Sequence, residues 1–94
     1  NDASDKKVTD VASTLKDRTL GQDRIIKKLE LAFRTEPDRE AMEDLAKLIN
    51  DKLKGSGIAL DLHPYRAHRH NMAVTVTGTG RSYEVFIGRG TGKR

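Results

Sequence analysis

The chain has 94 residues, no cysteine and a formal net charge of +4, with 35% hydrophobic and 34% charged residues. That is one small domain with a modest core. The absence of cysteine excludes disulfide frameworks, thiolate metal sites, iron–sulfur clusters and cysteine catalysis. No apolar run approaches the roughly 18 residues of a membrane span, so no membrane partner is expected.

In chain order, Asn1 to Asp5 lack the basic-then-apolar pattern of a secretion signal, and there is no starting Met. The chain is therefore expected to be cut from something longer. Val8, Val11, Ala12 and Leu15 recur at helical spacing and predict a first amphipathic helix, with Ser4 or Asp5 as its cap. Thr19 with Gln22 three residues on resembles a capping box opening a second helix, which carries Ile25, Ile26, Leu29, Ala32 and Phe33. Thr35-Glu36-Pro37-Asp38 reads as the start of a third, with Thr35 as cap and Pro37 in the first turn. That helix carries Ala41, Met42, Leu45, Ile49 and Leu53 and is stopped by Gly55.

Beyond Gly55 the apolar period falls from about 3.6 to 2. Ile58, Leu60 and Leu62, then Met72, Val74 and Val76, then Tyr83, Val85 and Ile87 predict three half-buried strands. Gly78-Thr79-Gly80-Arg81 is the expected four-residue hairpin loop between the last two. Pro64 should keep the first strand from continuing as a central one. The expected fold class is α+β: three N-terminal helices on one face of a small, about three-stranded antiparallel sheet. One domain is expected over residues 1–88, with helices over about 5–54 and strands over about 57–88. Residues 89–94 have no pattern and are expected to form a flexible basic tail.

Charge is unevenly placed. Residues 1–54 balance 12 acids against 12 bases. Residues 55–94 hold six bases (Arg66, Arg69, Arg81, Arg89, Lys93, Arg94) against Asp61 and Glu84, and 6 − 2 = +4 is the whole excess. The second half prefers Arg, which binds phosphate in a planar bidentate fork. It also holds all three histidines. A plain solvated basic face is one reading, and an anion-binding face, with nucleic acid as the commonest large anion, is the sharper one. A helix-turn-helix reader fits poorly, because Glu36, Asp38, Glu40, Glu43 and Asp44 crowd the start of the third helix and would repel phosphate. The expected nucleic-acid contacts are therefore Arg66, Arg69, Arg81, Arg89, Lys93 and Arg94, with Tyr65 and Phe86 as stacking residues.

His63, His68 and His70 admit three readings. They can be exposed members of a basic loop. With Asp61 they offer metal-type ligands, but the spacing matches no standard zinc site, and no metal or other cofactor is expected. As a third reading, His63 with Glu84 on the outward sheet face, helped by His68 or His70 and the arginines, meets the needs of metal-free RNA cleavage: a base, an acid and cations. Imidazole changes charge near neutral pH, which suits that role.

The order of helices followed by an antiparallel sheet with a polar face resembles barnase-type and related microbial ribonuclease toxins. The likeness lies in the element order alone and assigns no residue a role. Gly88-Arg89-Gly90-Thr91-Gly92-Lys93-Arg94 lacks the spacing, the hydroxyl residue and the helix of a phosphate loop. Leu60-Asp61-Leu62-His63 with that later Gly-rich run is similar to part of the Smr nuclease pattern, but there is no room for the intervening helix. No G-x-S-x-G elbow is present.

The leading expectation is a small basic nucleic-acid-binding domain acting in the cytoplasm, with RNA slightly preferred over duplex DNA. One alternative is a metal-independent ribonuclease, the C-terminal domain of a secreted toxin that meets an immunity protein. The other is an inhibitor or adaptor module whose Arg-rich half binds an acidic protein.

Overall fold

The computed structural model of the chain describes residues 2–65, 71–80 and 83–88. Three helices precede three strands: α1 (Asp2–Lys16), α2 (Gln22–Arg34), α3 (Arg39–Leu53), β1 (Ala59–Pro64), β2 (Met72–Thr77) and β3 (Tyr83–Ile87). The sheet is antiparallel in the order β1-β2-β3. α3 lies along β1, α2 along β3, and α1 packs across α2 and α3. This is the expected α+β class. The proposed tail, 89–94, lies outside the described residues.

The helix stripes and the inward strand positions close one core. Val11, Leu29, Phe33, Met42, Ile49, Leu53, Val74, Val76, Val85 and Ile87 are its most deeply buried large side chains. Period 3.6 on the helices and period 2 on the strands each put one apolar face inward. No helix among the described residues is long and apolar enough to cross a membrane.

The helix starts differ from the sequence reading. α1 already includes Ser4 and Asp5, because neither Gly nor Pro interrupts the chain before them. The cap of α2 is Gly21, with no side-chain cap bond. Thr19 does not cap it, because Asp17 takes both the Thr19 backbone N–H at 2.9 Å and its hydroxyl at 2.6 Å. Those two bonds, the hydroxyl first, hold the Asp17 carboxyl below its ordinary range. α3 is capped by Asp38, whose Oδ1 accepts from the Ala41 N–H at 2.9 Å. Thr35 instead closes α2: its backbone is still helical, and its hydroxyl donates back to the Leu31 and Ala32 carbonyls. A residue spent on one helix end cannot begin the next.

Two contacts fix the sheet to the layer beneath. The Asn50 side chain of α3 takes both backbone groups of Leu60 on β1: Nδ2 donates to the carbonyl at 2.8 Å, and Oδ1 accepts from the N–H at 2.9 Å. β1 is an edge strand, and this pairing, with Pro64 at its end, blunts that edge. The turn after β2 also meets the turn before β1. Gly78 has φ +89, and a Cβ there would sit 2.0 Å from the Gly57 carbonyl oxygen. Gly80 has φ +90 with nothing within 4 Å of such a Cβ. Gly78→Ala is therefore expected to cost about 2–4 kcal/mol, from left-handed strain plus overpacking. Gly80→Ala carries the strain alone. Thermal denaturation of both variants checks this, and equal losses would mean that the two turns do not touch.

Candidate nucleic-acid interface on the open sheet face

The helices cover one face of the sheet. Parity sends Asp61 and His63 of β1, Ala73, Thr75 and Thr77 of β2, and Glu84 and Phe86 of β3 to the other. The register sorts them into rows. His63, Ala73 and Phe86 form one row; Asp61, Thr75 and Glu84 form the next.

His63 and Glu84 sit two strands apart and one row out of step, and their side chains meet over Thr75. His63 Nε2 lies 2.9 Å from Thr75 Oγ1 and 3.4 Å from Glu84 Oε2. Thr75 Oγ1 lies 3.5 Å from Glu84 Oε2. Side-chain exposure is 32% for His63 and 42% for Glu84, so the cluster is open to a ligand and not sealed in the core. A consistent set of protons runs from Nε2–H to the Thr75 oxygen and from the Thr75 hydroxyl to the carboxylate. In that arrangement Nδ1 carries the free lone pair.

Beside this polar cluster is an aromatic one. The Tyr65 and Phe86 ring centroids are 4.7 Å apart at an interplanar angle of 36°. Both rings are half-buried. The Tyr65 N–H donates to the Asn71 carbonyl at 2.9 Å, which extends the β1–β2 ladder past Pro64 and holds Tyr65 beside the sheet. Ala73, between His63 and Phe86 in the register, is 0% exposed although it belongs to the open face.

Of the residues singled out in the sequence, His63, Glu84, Tyr65 and Phe86 come together on this face. His68, His70, Arg66, Arg69, Arg81, Arg89, Lys93 and Arg94 lie outside the described residues, and with them half of the Asp61–His63–His68–His70 metal alternative. Among the described residues no three His, Cys, Asp or Glu side chains are grouped closely enough to hold a metal ion. Sequence reasoning gives Thr75 no role. Its central position between the two titratable groups depends on register, which no local pattern carries.

Connectivity adds one fact about the charge. Tyr65, Asn71 and Gly88 stand at the same end of the sheet, since Pro64 pairs with Met72 and Met72 with Ile87. Segments 66–70 and 89–94 are joined to the sheet there. They hold five of the six bases of the second half: Arg66 and Arg69 in one, Arg89, Lys93 and Arg94 in the other. The aromatic pair belongs to this end.

Comparison with protein-family models, with curated proteins and with solved structures gives no match. The functional reading rests on the chain's own chemistry.

Proposed function

We propose that the domain binds RNA on the open face of its sheet. The observation that carries this reading is the half-exposed Tyr65–Phe86 pair at the end of the sheet where the Arg-rich segments are attached. Base-stacking rings beside a tethered positive charge are the two parts that single-strand binding surfaces combine. Arg suits the phosphates, and the rings suit the bases.

Binding of this kind is largely electrostatic. Neutralising about four to six phosphates gives a log–log salt slope of about −3 to −4 on single strands. A titration of a short RNA by fluorescence anisotropy at several salt concentrations measures it. An affinity that does not change from low to moderate salt would sink the reading. Deleting residues 89–94 should weaken binding and leave the fold intact, because that segment, Arg-Gly-Thr-Gly-Lys-Arg, carries no apolar side chain for a core.

The His63–Glu84 contact favours a second reading on the same face, RNA cleavage without a metal. Two carboxylates, Asp61 and Glu84, flank the middle of this face, and they would reduce its affinity for phosphate. A carboxylate against an imidazole has a use in acid–base chemistry. His63 would take the 2′-hydroxyl proton through Nδ1 while O2′ attacks the adjacent phosphorus. The imidazolium would then return that proton to the departing 5′-oxygen, leaving a 2′,3′-cyclic phosphate and a 5′-hydroxyl end. Glu84 would hold the ring and stabilise its charged form.

A further inference from the structure

We infer that the open face selects unpaired ribonucleotides, with a base seated on the Tyr65–Phe86 pair and its ribose over the His63–Thr75–Glu84 cluster. This rests on the RNA-binding reading above and names the substrate of that same surface.

Charge is sorted along the face. Moving along the face by one pleat repeat, two residues or about 6.6 Å, leads from Phe86 to Glu84 and from Tyr65 to His63. The face thus changes from aromatic to acidic within the length of one nucleotide. Asp61 and Glu84 flank Thr75 on its two sides in the register, and among the described residues that row holds no Lys or Arg. Phosphate oxygens are repelled from that row. The part of a nucleotide that a carboxylate accepts is a hydroxyl. The 2′-hydroxyl can donate to Glu84, and DNA lacks it.

The aromatic pair excludes duplex for a separate reason. Within a helix every base face is covered by its neighbours, so two rings on a sheet have nothing to stack on except at an end. An unpaired base offers a free face whatever its identity. The surface is therefore expected to discriminate by strandedness and by sugar, and only weakly by sequence.

The test uses the full chain and three fluorescent probes at one fixed salt concentration: a short single-stranded RNA, the DNA of the same sequence, and the RNA annealed to its complement. The single-stranded RNA is expected to bind roughly tenfold or more tighter than the duplex, the scale of one stacked base. It should also bind roughly tenfold tighter than the DNA, the scale of a hydrogen bond to a charged group. Phe86→Leu keeps an apolar side chain and removes the π-face, so it should bring single-stranded RNA down to the duplex level. Glu84→Ala should close the gap between RNA and DNA, with no loss of DNA affinity. The parent comparison needs no variant to fold. Equal, salt-dependent affinity for all three probes, or preference for the duplex, overturns this inference and leaves RNA binding standing. No binding to any probe at low salt overturns the RNA-binding reading and this inference with it.

Discussion

His63→Ala is expected to remove RNA cleavage by roughly 10²–10⁴-fold, the range for losing a general acid or base. Its ring is the only imidazole among the described residues. In the arrangement inferred from the contacts, one ring nitrogen is held by Thr75 and Glu84 and the other is left to work on the substrate. Ala removes the proton carrier and both contacts together. Glu84→Gln should also reduce the rate strongly, since the amide cannot offset the charge of the imidazolium. Folding should survive in both cases, because each side chain is about a third or more exposed and outside the core. The assay follows tRNA, rRNA and single-stranded oligonucleotides on gels, with chelator and with added divalent metal. A parent that leaves every substrate intact in both conditions ends the cleavage reading. Cleavage that survives both substitutions would show real chemistry at another site.

Ile49→Ala should have the largest effect on stability, about 2–5 kcal/mol. Ile49 is 0% exposed in the middle of α3, the helix that lies along β1. The truncation loses the transfer energy of the removed carbons and leaves a cavity that a close-packed core only partly refills. Against a total of about 5–15 kcal/mol for a typical domain, that loss approaches unfolding in one this small. Leu48, its neighbour on the same helix, is 45% exposed and provides the comparison. Leu48→Ala should stay within about 0.5 kcal/mol of the parent, as surface changes do. If the two variants unfold at the same denaturant concentration, α3 is not the helix that seals the sheet.

The core can be read from the sequence because its signal is local and redundant. Val8, Val11, Ala12 and Leu15 repeat at helical spacing, and the switch to period 2 after Gly55 marks where helices end and strands begin. Each apolar residue agrees with its neighbours about which side is inside, so errors at single positions do not change the fold class. The same parity also assigns His63, Thr75, Glu84 and Phe86 to the outward face before any tertiary contact is known.

Other features depended on competition or on distance. Thr19 and Asp38 both carry groups suited to capping, but Asp17 captures the first, while the second is left at the helix start with an open N–H to accept from. Asn50 looks like any polar helix residue, and its bond pair with Leu60 exists only because α3 lies beside the edge of β1. The His63–Glu84 contact joins residues from opposite edges of the sheet, and a one-residue slip in either pairing would send one of them to the core face. Sequence by itself determined the elements and the face to which each residue belongs, because helix and strand periods act between near neighbours. Tertiary structure alone decided which outward residues meet, because register is set by strands packing together over the core, and a side chain carries no local mark of its partner across the sheet.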